Sequence, residues 1–369
     1  MHPKLLRLRC AAAGALTLSL LFSAATAAAG AQQTGVKVDS LARAFRAQHS
    51  TPALVVGVVN STGERILPYG IAGDGSTPVT GDTRFEVGSV TKIFTSLLLA
   101  RMVENGGVRL DDPIARYLPD SVQAPDYRGQ QITLRELATH SSGLPRLPTN
   151  IAPANMSDPY AGYSAEKLYH FLDSYELPRA PDSTYEYSNL GAGLLGFLLS
   201  RHAGKPFAEL LKERIFQPLG MSGSYVAELG ESTDTRLAQG HAEGKPVPFW
   251  HFGSLEGAGA VRSSTRDLLR LIGAELHPER TSMAKAIELS QKIRFHASPQ
   301  LALALGWHVV QLPDRSSLYW HNGGTGGARS FVGFVPEAGA GVVVLMNEAL
   351  PLNAVTQFGV QVARAALVQ

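Results

Sequence analysis

The sequence predicts an α/β fold: one antiparallel sheet drawn from both ends of the chain and flanked by helices, with an all-helical lobe beside it. Three observations lead to this reading. The unbroken apolar run Ala53-Leu54-Val55-Val56-Gly57-Val58-Val59-Asn60 reads as a buried strand. Short apolar runs of the same kind fill the last quarter of the chain. The long middle section has helical periodicity instead. Strands at both ends with helices between them place the two ends in one sheet and set the central helices apart.

Taken in order, residues 1–29 have the pattern of a secretory signal. Lys4, Arg7 and Arg9 form a basic start, Cys10 to Phe22 a short apolar stretch, and Ala25-Thr26-Ala27 or Ala27-Ala28-Ala29 a small-residue cleavage site. The apolar stretch is short for a bilayer, so no membrane span is expected in the mature chain; the alternative is an uncleaved anchor. Cys10 is the only cysteine of 369 residues, which leaves the rest without disulfides, cysteine nucleophiles or thiolate metal sites. Without the three basic residues of the signal, acidic and basic side chains nearly balance, and nothing points to a nucleic-acid partner. A content of 44% apolar and 17% charged residues suits a compact folded chain rather than a disordered one. Residues 30–369 are read as one domain, with a sheet lobe over roughly 36–88 and 255–369 and a helical lobe over roughly 89–254.

The sheet lobe begins with an amphipathic helix over 38–49, whose apolar face carries Leu41, Ala44 and Phe45. The 53–60 strand turns at Ser61-Thr62-Gly63 into a hairpin partner over 65–71. An apolar helix that begins at Ser89 runs to about Glu104 and stops at Asn105-Gly106-Gly107. Another covers 132–140, with Thr133 and Glu136 spaced as a capping box. The stretch from 143 to 162, rich in Pro and Asn, reads as a long exposed loop of the sort that shapes binding sites. Helices follow over 164–175, 189–202, 207–216, 265–276 and 283–292. Strands are expected at 303–311, 318–321, 329–335 and 341–347, and a last helix over 354–366 covers their face.

Ser89 stands where Phe85-Glu86-Val87-Gly88-Ser89-Val90-Thr91-Lys92 gives way to the apolar helix, and Lys92 follows three residues on, on the same face. A serine hydroxyl needs a base to become a nucleophile, and a desolvated lysine amine can serve. The spacing alone carries little. Ser164 to Lys167 and Ser282 to Lys285 repeat it, and a serine at a helix start is commonly a cap. Setting separates the three. The other two lead into half-polar helices, whereas the helix after Lys92 is apolar on nearly every side and must be buried, so its lysine needs a reason.

Two further segments carry chemistry. Tyr187 and Asn189, two residues apart before a buried helix, can face one cavity. Tyr187 could move protons as a phenolate if Lys92 and a second cation lower its pKa, and Asn189 could hold a substrate carbonyl or fix Lys92. The plainer alternative has Asn189 capping the helix and Tyr187 packed beneath it. Trp320-His321-Asn322-Gly323-Gly324-Thr325-Gly326-Gly327 lies between two strands, where glycines imply a bulge or a close backbone approach. A peptide-like substrate along that edge, its carbonyl on the Gly324 N–H, is one such approach. His-x-Gly by itself is uninformative, since His202 and His251 match it too.

Together and in this order, Ser89-x-x-Lys92, Tyr187-x-Asn189 and His321-x-Gly323 resemble the three signatures of the penicillin-recognising serine hydrolases. The flanks Phe85-Glu86-Val87-Gly88, Leu137-Ala138-Thr139-His140-Ser141-Ser142-Gly143-Leu144-Pro145 and Pro218-Leu219-Gly220-Met221 resemble the branch that holds class C β-lactamases, D-alanyl-D-alanine peptidases and some esterases. The resemblance spans almost the whole mature chain. It implies a serine β-lactamase/DD-peptidase-like fold, with 30–369 as the catalytic domain and no metal or cofactor. Ser89 would be acylated, Lys92 and Tyr187 would move protons, and Asn189, His321, Gly323 and Gly324 would bind substrate. The Ser89 and Gly324 N–H groups would form the oxyanion hole.

Two departures from the class C pattern matter. His321-Asn322-Gly323 stands where Lys-Thr-Gly is usual, and Thr91 where Ser or Ala is usual. Histidine is mostly uncharged near neutral pH, which weakens attraction for a β-lactam carboxylate and favours a peptidase or esterase in which His321 works through hydrogen bonds. Arg329 is either the replacement partner for that carboxylate or, more simply, a plain surface arginine. The expected function is a secreted, periplasmic D-alanyl-D-alanine carboxypeptidase/endopeptidase-type enzyme on small cell-wall peptides, working as a monomer. Class C-like β-lactamase and small-ester esterase are the alternatives within that mechanism, and a non-catalytic muropeptide-binding protein is the alternative outside it.

Overall fold

The computed structural model describes residues 36–73, 75–153, 155–227 and 234–367, so the signal reading of 1–29 and Cys10 lie outside the described residues. Helix α1 (36–49) leads into the hairpin of β1 (Ala53–Asn60) and β2 (Gly63–Gly70). Strand β3 (Arg84–Glu86) and a 3-10 turn (Gly88–Val90) run into α2 (Thr91–Glu104). The middle of the chain holds the small pair β4 (Asp126–Tyr127) and β5 (Gln130–Gln131), then α3 (Leu134–Ala138), α4 (Ala165–Ser174), α5 (Asn189–Ala203) and α6 (Phe207–Leu211). Strands β6 (Tyr225–Val226), β7 (His241–Ala242) and β8 (Lys245–Pro246) precede β9 (Val261–Ser264), α7 (Thr265–Leu276) and α8 (Ala284–Gln291). The chain closes with β10 (Phe295–Ser298), β11 (Leu301–Leu303), β12 (His308–Gln311), β13 (Ser317–Gly324), β14 (Arg329–Val335), β15 (Ala340–Met346) and α9 (Leu352–Leu367).

The main sheet is antiparallel throughout, in the order β10-β11-β12-β13-β14-β15-β1-β2, so the two ends of the chain meet where β1 lies between β15 and β2. Strand side chains alternate between faces. In β1, Ala53 and Val55 join the core under α7, while Leu54, Val56 and Val58 join the core under α1 and α9. Burial on both faces is why this strand reads as a continuous apolar run. Helix α7 lies close on its face: a Cβ on Gly57 would stand 2.6 Å from Thr265 Cγ2, and one on Gly341 2.2 Å from Ile272 Cγ2. On the other face Phe45 of α1 stacks on Phe358 of α9 with ring centroids 4.2 Å apart.

Several boundaries differ from the sequence expectation, each for a local reason. The strand expected over 303–311 is broken at Gly306, whose φ of +75 turns the chain so that β11 and β12 pair with each other. The turn packs on α2, since a Cβ there would meet the Lys92 carbonyl oxygen and Ser96 Oγ, both at 2.8 Å. Strand β13 runs on through the glycines to Gly324, because its pairing with β14 continues to Arg329. Helix α3 is shorter than 132–140 and is followed by His140 with φ +58, although the Glu136 half of the capping box forms, its carboxylate accepting the Thr133 N–H at 2.7 Å. Among the described residues, no helix is long and apolar enough to cross a membrane.

Candidate active site

Ser89 belongs to the 3-10 turn at the head of α2, and it is the one partly exposed residue between Phe85 and Ala100. The turn comes down directly on the end of β13. Gly88 has φ +49, and a Cβ on it would meet the Gly324 N at 2.6 Å, while a Cβ on Gly323 would lie 2.9 Å from the Ser89 N. Glycine on both sides thus holds the Ser89 and Gly324 amides close together beside the Ser89 hydroxyl. Ser330 Oγ locks the junction by donating to the Val87 carbonyl at 2.7 Å.

Lys92 is buried, 2% exposed. Its Nζ lies 3.0 Å from Ser89 Oγ, 2.9 Å from Asn189 Oδ1 and 2.8 Å from the Ala258 carbonyl oxygen. The last two atoms only accept hydrogen bonds, so a neutral amine would give both N–H groups to them and keep its lone pair for the Ser89 proton. Burial holds the Lys92 pKa well below the ordinary lysine value, and the nearby Arg146 charge adds to that. No carboxylate among the described residues pairs with Lys92 to restore its charge. This is the arrangement of a base rather than of a structural cation.

The Tyr187 phenol faces Ser89, whose hydroxyl pulls the tyrosine pKa down. Lys92 Nζ stands 4.9 Å and Arg146 Cζ 5.2 Å from its ring centroid, so a second cation is present as the phenolate reading required. The outcome nonetheless differs from that reading. Burial raises the Tyr187 pKa, and the opposing pulls of Ser89 and Arg146 are smaller, so the tyrosine keeps its proton. The two adjacent groups are thus shifted in opposite directions, the lysine down and the phenol up.

Asn189 does not cap α5. Ser188 does, its Oγ accepting the Gly191 N–H at 2.8 Å and donating to the Pro145 carbonyl at 2.7 Å. That leaves the Asn189 amide free to accept from Lys92 and to donate to Tyr160 Oη at 3.0 Å.

His321 is 1% exposed and stands behind Tyr187 rather than at the wall of the cavity, its ring 6.1 Å from the Tyr187 ring and 5.0 Å from that of His308. Burial, with His308 and Lys92 nearby, lowers its pKa well below the histidine norm. Its Nδ1 lies 2.5 Å from the Asn322 carbonyl oxygen, and its Nε2 has no hydrogen-bond partner among the described residues. Arg329 is not a plain surface arginine. Its Nε donates to the Leu350 carbonyl at 2.5 Å, and Nη1 donates to those of Thr325 and Ala328 at 2.7 and 2.8 Å.

Ser89, Tyr187, Asn189, Gly323 and Gly324 border one cavity of about 420 Å³, together with Arg146 and Arg329. A larger concavity of about 1020 Å³ lies elsewhere, near Tyr225 and Arg236, and none of the three motif segments borders it. The site is therefore assigned by its chemistry and not by its size.

The sequence matches the Beta-lactamase family over residues 38–363. The chain belongs to that family. It is 27% identical to a beta-lactamase of Pseudomonas fluorescens, across 85% of this chain and 93% of that one. It is 28% identical to a beta-lactamase of Escherichia coli K12, across 82% and 86%. It is also 28% identical to the D-alanyl-D-alanine-carboxypeptidase/endopeptidase AmpH of Escherichia coli K12, across 72% and 71%. Membership makes the chain a serine hydrolase of the β-lactamase family, and the fold agrees.

Arg146, Tyr160 and His308 had no sequence signal of their own, and His140 entered only as part of a family-like flank. Arg146 follows the Gly143-Leu144-Pro145 flank in what reads as a loop, and its carbonyl accepts the Asn189 and Leu190 N–H groups. Tyr160 sits in the same loop. His140 accepts the Ser188 N–H on Nδ1 at 3.2 Å, and His308 pairs through Nε2 with Tyr185 Oη at 3.0 Å. These contacts join residues far apart in sequence, which no periodicity reports.

Proposed function

We propose that this family member is a secreted D-alanyl-D-alanine carboxypeptidase/endopeptidase-type enzyme acting through a Ser89 acyl-enzyme. Ser89 Oγ gives its proton to Lys92 as it bonds to the scissile carbonyl carbon. The oxygen of that carbonyl turns its developing charge toward the Ser89 and Gly324 N–H groups, each such donor being worth about 3 kcal/mol in comparable sites. When the C–N bond breaks, the leaving amine takes the Tyr187 proton, which the Lys92 ammonium replaces. Water then attacks the ester carbonyl carbon and gives a proton to Lys92; the bond from that carbon to Ser89 Oγ breaks, Oγ takes the proton back from Lys92, and the acid product leaves.

The observation that carries the peptide reading is the open edge beside the nucleophile. Beyond Trp320, which faces His308, β13 has no strand on its β12 side among the described residues, as far as Gly324. An extended peptide can add its main chain along such an edge. Arg329, stacked against Gly324, would take the carboxylate of the leaving residue in place of the buried, uncharged His321. The signal pattern of residues 1–29 agrees with a cell-wall substrate in the periplasm. β-Lactam hydrolysis is the second reading, favoured by the two relatives named beta-lactamase, which match over a larger share of the chain than AmpH does.

Turnover of a D-alanyl-D-alanine peptide, a chromogenic cephalosporin and a nitrophenyl ester by the purified protein tests this. The peptide is expected to have the highest kcat/KM. A cephalosporin turned over about tenfold better than the peptide would give the second reading instead.

A further inference from the structure

The cavity is cationic in an uneven way. Among the described residues that border it there is no carboxylate, yet two arginines stand on its walls. Arg329, on the β13–β14 wall, has its Nε and Nη1 groups committed to main-chain carbonyls. Arg146 stands on the wall that carries Asn189, to which it is tied through its own carbonyl. Its guanidinium lies over the Tyr187 ring, and no hydrogen bond or ion pair from it to a described residue is formed. Its charge also opposes protonation of Lys92 and His140. An exposed arginine held over an aromatic face, with its donors free and no anion in reach, is prepared for an anion brought by the substrate.

We propose that Arg146 reads a carboxylate on the acyl half of the substrate, opposite the leaving-group carboxylate at Arg329. The preferred substrate class is then a D-alanyl peptide whose acyl portion carries a free acid, so that one anion lies on each side of the scissile bond. This inference rests on the acyl-enzyme reading of the site and narrows it. A guanidinium paired with a carboxylate through two parallel N–H groups discriminates against the neutral amide by more than a point charge would.

The test compares two matched substrate pairs. The first is a D-alanyl-D-alanine peptide with a free acid on its acyl half against the same peptide amidated there. The second is the mono-nitrophenyl ester of succinate against the nitrophenyl ester of succinate monomethyl ester. The native enzyme is expected to favour the acid over its neutral mate by about tenfold in kcat/KM, equivalent to one charge-assisted hydrogen bond. Arg146→Met should bring that ratio near one, and Arg146→Lys should keep an intermediate ratio. A native ratio near one, or a ratio unchanged in either variant, overturns the proposal. If esters turn over and peptides do not, the peptidase reading fails while the ester pair still reports on Arg146. If Arg146→Met suppresses turnover of both members of a pair, Arg146→Lys supplies the ratio, because it keeps a positive charge on that wall.

Discussion

The turns Ser89 to Lys92 and Ser164 to Lys167 have the same spacing and opposite fates. At Ser164 the hydroxyl oxygen accepts the Lys167 N–H at 3.3 Å as an ordinary helix cap, and the exposed Lys167 Nζ donates to the Gly162 carbonyl at 2.9 Å. At Ser89 the helix cap is absent, and the lysine side chain itself reaches the serine. The difference comes from what each helix must cover. Helix α4 has one apolar face, on Leu168, Phe171 and Leu172, so its lysine can turn to water. Helix α2 is enclosed on almost every side, so its lysine is confined and desolvated with only neutral partners. The motif is a spacing, and burial makes it chemical.

The strongest way to break that comparison is to remove the serine from each turn. Ser89→Ala should lose acylation by a fluorescent penicillin, followed by intact mass, by roughly 10⁴-fold or more, as for nucleophiles of concerted sites. Its stability should stay within about 1 kcal/mol of the native protein, since a small polar group is lost from the edge of a cavity. Ser164→Ala should label at the native rate. Persistent labelling of Ser89→Ala would mean that another serine is the nucleophile.

Much of this contrast was legible in the sequence, and what was missing has a physical pattern. The apolar run after Lys92 exposed the buried lysine, and the strands at the two termini exposed the shared sheet, because both are periodic over many residues. The direction of the Tyr187 shift was not legible. It depends on whether desolvation outweighs the pulls of Ser89 and Arg146, and Tyr187 is packed against the rings of His140 and His308, which reach it from distant segments. His321 misled in a related way: its place in the third motif is right, but Gly323 and Gly324 carry the chain against Ser89 while the His321 ring turns behind Tyr187. Arg146 was invisible because nothing about an arginine after a proline tells which ring it will cover.

The surroundings of the two turns sharpen the comparison through pH. Around Lys92 stand His140, His308 and His321, all held uncharged mainly by burial, and for His308 the pKa falls to about 4. Below pH 6.5 the unfolded chain takes up protons that the folded one refuses. The histidine contribution to stability is therefore complete above pH 6.5 and is lost as pH falls toward 4, by about 3 kcal/mol for His308 alone. Urea midpoints measured from pH 7 to 4.5 should drop in the native protein and drop less in His308→Asn. Equal slopes in both would show that His308 is protonated as easily in the fold as out of it.

The smallest effect belongs to the surface turn and closes the comparison from its other side. If Ser164 is only a cap, Ser164→Ala removes one acceptor from the first turn of α4 and should cost about 1 kcal/mol, while Ser164→Asp should cost nothing measurable, since it keeps an acceptor at the same place. Neither change should alter kcat/KM on any substrate, because α4 contributes no residue to the cavity that Ser89 borders. A fall in kcat/KM for Ser164→Ala at unchanged stability would mean that the two turns are coupled through the 143–162 loop, which carries Arg146 and Tyr160 and whose Asn150 Nδ2 donates to the Lys167 carbonyl at 2.8 Å.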